Sequence, residues 1–253
     1  VNRRGLKGGV RYWDGQFDDA RLAVLLARTA ASRGALLLNH MPVVSLVREG
    51  GRVTGLVASD AESDRRFEVA ARCVINAAGV WVDAVRDMDR EPGAPSRTPM
   101  VAPSQGVHLV VDRAFLPGTH ALMVPKTSDG RVLFAVPWLG KTILGTTDTP
   151  REDLAAEPTP FAAEADFILG ESARYLERAP TRADVRSVWV GLRPLVKPSG
   201  DEGENTKALS REHTVVVGRS GLVTVTGGKW TTYRAMAEDV LDRAMERGLL
   251  PRR

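Results

Sequence analysis

The 253-residue sequence holds one cysteine, Cys73. It can therefore form no internal disulfide and no cysteine-built zinc or iron–sulfur cage. Its four histidines, His40, His108, His120 and His213, show no paired ligand spacing, so no metal site is expected, and only carboxylates are left as an alternative source of ligands. No apolar run approaches the roughly 18 residues that a spanning helix requires. Neither charge sign dominates: 35 Lys and Arg stand against 31 Asp and Glu, a net charge of +4. That excess is too small to point to nucleic acid and is compatible with a few arginines facing a small anion. No GxSxG, HExxH, CxxC or GxxxxGK[ST] pattern occurs, which removes the usual footing for serine hydrolase, zinc protease, dithiol and Walker-type chemistry.

The sequence has 43% hydrophobic and 26% charged residues, the composition of an ordinary globular chain. Lysine is scarce, at Lys7, Lys126, Lys141, Lys197, Lys207 and Lys229. The basic residues are mostly Arg, either because bidentate anion recognition is wanted or from coding bias. The chain opens without an initiator Met or a leader pattern and ends just after a helical pattern. The expectation from the sequence is a piece of a longer chain.

Periodicity predicts the elements. Aromatics at Tyr12, Trp13 and Phe17 suggest a short strand over 10–17. Asp18 is placed to cap a helix over 19–33 whose stripe is Leu22, Leu25, Leu26 and Ala30, stopped by Gly34. Strands are expected over 35–38, 42–49, 52–59 and 67–71, with a Gly50-Gly51 turn. The run RCVINA at 72–77 predicts a strand buried on both faces, and a helical turn should follow over 80–88. Four prolines in 90–103 mark a loop or crossing. Strands are then expected over 106–111, 121–125, 131–138 and 141–146, and a helix over 161–178 with Ala165, Ile168, Leu169, Ser172 and Leu176 on one stripe. A strand at 185–192, an exposed acidic and Gly-rich stretch at 198–206, a β pair at 214–218 and 222–226, and a helix over 231–247 complete the order. The fold class is α/β (α+β): sheet-and-helix material at both ends and a β-rich section inserted near 90–185.

Three segments could carry chemistry. A strand runs into Gly227-Gly228-Lys229, then Thr231 and Thr232 open a helix. This is either an anion cradle, with glycines allowing close approach and helix N–H groups facing the ligand, or a glycine turn with a threonine cap. In VGLRPL at 190–195, Arg193 is either a reader of an anionic substrate or half of a structural ion pair. His108, in SQGVHLVV at 104–111, could take a proton near neutrality or be hydrogen-bonded in place. GTTD at 145–148 and the small residues ending 73–79 are weaker candidates, each with a purely structural alternative.

Taken together, GLKGGVRYWD at 5–14 with DDARL at 18–22, VINAAGVWVD at 74–83, QGVHL at 105–109, VPW at 136–138, GTTD at 145–148, VGLRP at 190–194, LSREH at 209–213 and GGKWTTYR at 227–234 resemble the FAD-dependent glycerol-3-phosphate dehydrogenases. That family lies within the D-amino-acid-oxidase-like flavoproteins. The motifs run in the family's order and cover nearly the whole chain.

The resemblance implies part of a Rossmann-like FAD-binding domain plus a β-rich, mixed or antiparallel substrate domain. It divides the chain into a substrate-domain strand (1–18), part of the FAD domain (19–89), the substrate domain (90–185) and a return to the FAD domain (186–253). It implies FAD as cofactor and oxidation of sn-glycerol 3-phosphate to dihydroxyacetone phosphate, with quinone or oxygen as acceptor. A related oxidase of an amino acid or hydroxy acid, and a non-catalytic metabolite binder, are the alternatives. His108, Arg193 and Lys229 are the implied catalytic residues, and Arg193, Arg211, Lys229 and Thr231 the implied substrate contacts. Gly79, Trp81, Thr146, Asp148, Gly191, Gly228, Lys229, Thr231 and Thr232 are the implied cofactor contacts. A homodimer, a cytoplasmic location and peripheral contact with the inner face of the membrane are also implied, with no nucleic-acid partner. Val80 stands where the family often has Pro. The family's opening GxGxxG turn and its ribose-binding acid have no match, so the chain by itself is expected to bind FAD poorly, to turn over little and to expose apolar sheet edges.

Overall fold

The computed structural model describes residues 1–2, 4–91, 93–197 and 212–252. In chain order the elements are α1 (Asp19–Ser32), β1 (Val43–Glu49), β2 (Arg52–Ser59), β3 (Arg66–Ala70), β4 (Ile75–Asn76), α2 (Val82–Met88), β5 (Val101–Asp112), β6 (Leu122–Val124), β7 (Leu133–Trp138), β8 (Lys141–Gly145), β9 (Thr149–Pro150), α3 (Ala162–Tyr175), β10 (Ser187–Val196), β11 (His213–Val217), β12 (Val223–Gly227) and α4 (Tyr233–Glu246). They divide into two compact units. One comprises Val1–Val10 and Ala102–Leu195; the other contains Arg11–Val101 and, among the described residues, 196–197 and 212–252. The first unit therefore runs on through most of β10, beyond the boundary at 185 expected from the sequence.

The first unit is built on one sheet in the order β10-β5-β8-β7-β6, with β9 beside β5. The strand pairs β5–β8, β7–β8, β6–β7 and β5–β9 are antiparallel. Period-two alternation along β5 buries Val107, Leu109 and Val111 on one face and leaves His108, Val110 and Asp112 half-buried on the other. The buried face joins Leu133, Ala135 and Leu144 from β7 and β8 with Ile168, Leu169 and Leu176 from α3 and the residue after it. Leu109, Leu144 and Ile168 are fully buried, each contributing about 1.5–3 kcal/mol of transfer free energy. One sheet face is thus committed to packing, and its opposite face bears the polar residues.

The second unit holds two sheets. One is the antiparallel meander β1-β2-β3, and the other has the order β11-β12-β4, with β12 antiparallel to β11 and parallel to β4. Val223 and Val225 of β12 pack on Val240 and Ala244 of α4. Asn76 ends β4 as a buried polar anchor: its Nδ2 donates to the Val82 carbonyl at 2.9 Å and to Thr224 Oγ1 at 3.4 Å. Asp83 of α2 accepts from the Met100 and Val101 N–H groups and pairs with Arg86, which holds the chain where β5 begins. The mixed α+β class expected from the sequence is the class observed.

Three expected strands differ. Residues 10–17 and 35–38 form none, and Val10, Trp13 and Leu36 are 92%, 82% and 83% exposed; no neighbouring strand among the described residues offers them a ladder, without which an extended segment gains little. The strand expected over 72–77 is paired only at Ile75–Asn76 and on one side, by β12, so Ile75 is exposed where burial on both faces was expected. Helix α1 forms as its periodicity predicts, started by Asp18 accepting the Arg21 N–H at 2.9 Å, but none of its residues is buried. The stretch 198–206 lies outside the described residues.

Candidate functional site

The face of the first unit's sheet opposite its core gathers His108, Trp189, Gly191 and Arg193. Residues 106 and 108 share one face of β5, and 189, 191 and 193 share one face of β10. The His108 ring stacks on the Trp189 indole, with centroids 5.2 Å apart and planes 15° from parallel. Gly145 lies opposite His108 in the β5–β8 register, and a Cβ there would fall 2.9 Å from the imidazole Cγ. The histidine therefore lies flat over a glycine and under a tryptophan, which fixes its plane.

Arg193 is held in a similar way. Its Nη1 donates to the Thr147 carbonyl and its Nη2 to Thr146 Oγ1, both at 3.1 Å. Asp148 lies 4.0 Å from Nη1 and also accepts from Ser104 Oγ. The three atoms nearest to a Cβ on Gly106 all belong to the guanidinium, with Cζ at 2.5 Å. Gly106 is thus the space into which the guanidinium fits. The side chain keeps 30% of its surface exposed, so it is tethered yet open to solvent. The geometry thus gives Arg193 an ion-pair neighbour in Asp148 and leaves its side chain partly exposed. Beside it, a Cβ on Gly191 would meet nothing within 4 Å, so this stretch of the face is open.

In the second unit the residues expected near a cofactor collect at strand ends. After β4 the chain turns at Gly79, with φ +59° and open space where a Cβ would stand, into a 3-10 turn ending at Trp81. That turn lies beside β12. Where β12 ends, Gly227 and Gly228 both adopt the left-handed region, with φ of +77° and +76°, which side-chain-bearing residues rarely enter. The pair also has a packing reason: a Cβ on Gly228 would press on Met236 and His213. Lys229, Thr231 and Thr232 are exposed at the 3-10 turn that leads into α4. The Thr232 hydroxyl donates to the Lys229 carbonyl at 3.0 Å. Arg211 lies outside the described residues, so its expected role has no geometry.

Carboxyl ends of parallel strands are where ligands settle in open α/β sheets, and β4 and β12 are such a pair. The polar group preceding the glycine pair, Thr226 Oγ1, is buried with no hydrogen-bond partner. Together with the open space at Gly79 and the half-exposed rings of Trp81 and Trp230, this donor and ring set fits a flat heteroaromatic group with a polar edge. Groups of three or more His, Cys, Asp or Glu suited to a metal are absent among the described residues.

Three participants were not singled out individually from the sequence: Gly106, Thr147 and Trp189. Gly106 and Trp189 were within reach of period-two arithmetic, being two residues from His108 and four from Arg193. Thr147 was not, because its partner Arg193 lies on a distant segment.

Comparison with known proteins places these motifs in a family. The model of the FAD dependent oxidoreductase family matches residues 1–234. A mitochondrial glycerol-3-phosphate dehydrogenase of Arabidopsis thaliana is 44% identical over 249 residues, covering 98% of this chain and 38% of the plant protein. The FAD-complexed structure of glycerol-3-phosphate dehydrogenase from Bacillus halodurans superposes with a TM-score of 0.78 at 37% identity, over 93% of this chain and 44% of that one. The FAD-bound L-alpha-glycerophosphate oxidase of Mycoplasma pneumoniae shares the fold, with a TM-score of 0.63 at 18% identity over 87% of this chain and 54% of that one. The chain spans less than half the length of the curated relatives it matches. With the family model covering most of its residues, the chain belongs to the FAD-dependent oxidoreductase family.

Proposed function

We propose that this chain supplies the substrate-handling sheet and part of the flavin-holding strand ends of an FAD-dependent glycerol-3-phosphate dehydrogenase. The observation that carries the reading is the paired placement of His108 and Arg193 on the exposed face of one sheet, each seated over a glycine. The 44% identity to the Arabidopsis dehydrogenase supports the choice of substrate.

On this reading Arg193 binds the phosphate. A guanidinium held by two neutral acceptors, with the Asp148 carboxylate beside it, keeps a fixed fork geometry that matches a phosphate's oxygens. His108 accepts the proton from the C2 hydroxyl, and the Trp189 stack keeps the imidazole plane fixed so that one ring nitrogen stays aimed. Gly191 leaves room on the same face for the carbon skeleton. Gly79, Trp81, Gly228, Lys229, Thr231 and Thr232 would hold the flavin, with Thr146 and Asp148 acting through their grip on Arg193. FAD, when bound, supplies the acceptor for the hydride leaving C2. Lys229 places a positive charge at a helix start, which favours negative charge on its ligand. Dihydroxyacetone phosphate is the product, and quinone or oxygen takes the electrons onward. No helix among the described residues is long and apolar enough to cross a membrane, and a peripheral contact and a homodimer belong to this proposal.

The test compares two substrates. Arg193→Ala should raise KM for sn-glycerol 3-phosphate at least tenfold more than for glycerol, because only the first carries the phosphate. An equal effect on both would remove the phosphate role.

A further inference from the structure

Between His108↔Gly145 and Gln105↔Thr149 the ladder of β5 is irregular: residues 106 and 107 face residues 146, 147 and 148 on the returning chain. Two residues against three is a bulge, and a bulge leaves backbone groups that need other partners. Here the Thr147 hydroxyl substitutes for the ladder, accepting the Val107 N–H at 3.0 Å. The same hydroxyl donates to Glu164 Oε1 at 3.0 Å.

Glu164 sits in the first turn of α3 and is 5% exposed. Its carboxylate accepts four hydrogen bonds. Oε1 takes Thr147 Oγ1 and Thr149 Oγ1, the latter at 2.7 Å; Oε2 takes Gln105 Nε2 at 2.7 Å and the Phe161 N–H at 2.9 Å. The Gln105 amide is itself locked, because its Oε1 accepts from Arg151. Burying a carboxylate is costly unless its acceptor sites are filled, and here they are filled by Thr147 of the bulge, by the flanking Gln105 and Thr149, and by the Phe161 N–H. Thr147 is 2% exposed and Gln105 fully buried.

The elements held this way are those that aim Arg193. Thr146 Oγ1 and the Thr147 carbonyl are its acceptors, and Gly106, between Gln105 and Val107, is the seat of its guanidinium. We propose that Glu164 is a positioning residue for Arg193: its carboxylate fixes Thr147 and Gln105, and through them the acceptors and the seat that orient the guanidinium. This rests on the reading of Arg193 as the phosphate-binding residue. Replacement by Gln makes the point sharply. One carboxylate oxygen becomes an NH2 group: toward Gln105 Nε2 and the Phe161 N–H it faces donors only, and Gln105 cannot rotate in response without losing Arg151, whereas toward Thr147 and Thr149 it forces their hydroxyls to accept where they now donate.

The experiment is a double-mutant cycle read by calorimetric titration of the FAD-supplemented protein with sn-glycerol 3-phosphate. Glu164→Gln should weaken binding about tenfold, the scale of one impaired charge-assisted hydrogen bond. In the Arg193→Ala background the same substitution should change affinity less than twofold. Should Glu164→Gln fail to fold, Thr147→Val carries the same cycle, with Thr147→Ser restoring affinity to within about twofold of the parent because it keeps the hydroxyl. An equal penalty with and without Arg193, or no penalty in its presence, overturns the inference alone. If Arg193→Ala by itself leaves affinity unchanged, the phosphate reading fails, and the inference fails with it.

Discussion

Gly106 offers a direct perturbation of the Arg193 seat. In Gly106→Ala the new Cβ would stand 2.5 Å from Cζ of Arg193, whereas carbon atoms in contact settle near 3.5–4.0 Å. The guanidinium must retreat by about 1 Å, enough to break or badly lengthen its bonds to the Thr147 carbonyl and Thr146 Oγ1. Hydrogen bonds to a charged donor are each worth about 1.5–3 kcal/mol when lost in a dry site. Arg193 keeps 30% of its side chain in solvent, so water recovers part of that, leaving a loss of about 2–3 kcal/mol. Alanine in a strand regains about 0.5–1 kcal/mol over glycine. The net cost is about 1–2.5 kcal/mol, or a Tm lower by about 2–10 °C for a chain of this size. Affinity for sn-glycerol 3-phosphate should fall tenfold or more. With Arg193→Ala in place the clash is gone, and Gly106→Ala should be neutral or slightly stabilising. Thermal unfolding and ligand titration of the four proteins decide it. A Gly106→Ala penalty that is the same with and without Arg193 refutes the idea that this glycine exists to seat the guanidinium.

Other outcomes follow from the same geometry. His108→Ala should slow flavin reduction at least a hundredfold under single-turnover conditions, the usual scale of a lost general base, while Trp189→Ala should slow it less; an unchanged rate in His108→Ala removes the base role. Lys229→Met should shift the flavin's reduction potential or its reduction rate, and a variant identical in both makes the lysine structural. The Asp112 carboxyl is held down to about 2 from 3.8 by hydrogen bonds from Lys141 and then Arg186. Its folded pKa lies below the unfolded one, so its stabilising contribution is present above about pH 4 and is lost as pH falls toward about 2. Acid unfolding of Asp112→Asn should therefore be less steep across that window, and curves of equal slope would contradict the pairing.

Much of the fold was legible in the sequence because periodicity reports which face is buried. β2 matches its expected bounds, and α3 falls within the expected span with Ile168, Leu169 and Leu176 in the core. The misses share a cause. Residues 10–17 and 35–38 have strand composition, but a strand exists only with a partner, and composition does not reveal partners. Helix α1 carries an apolar stripe that none of the described residues buries. At the candidate site, residue chemistry and motif spacing pointed to His108, Arg193 and the turn at 227–232. What stayed hidden was what holds them. Glu164 reads in sequence as a charge in a helix's first turn, and only the fold brings it to Thr147, Thr149 and Gln105. Gly106 and Gly145 read as strand glycines, yet each is the gap beneath a candidate site side chain, Arg193 and His108 respectively.

On the proposed function, this chain's residues take part in oxidising sn-glycerol 3-phosphate with FAD. The direct test takes a full-length protein carrying these residues with FAD bound, removes oxygen, adds sn-glycerol 3-phosphate and follows the flavin's visible absorbance, with glycerol at the same concentration as control. The account predicts bleaching with the phosphate ester and little or none with glycerol, and loss of that preference in Arg193→Ala. Bound flavin that stays oxidised with sn-glycerol 3-phosphate, or bleaches equally with glycerol, would contradict it.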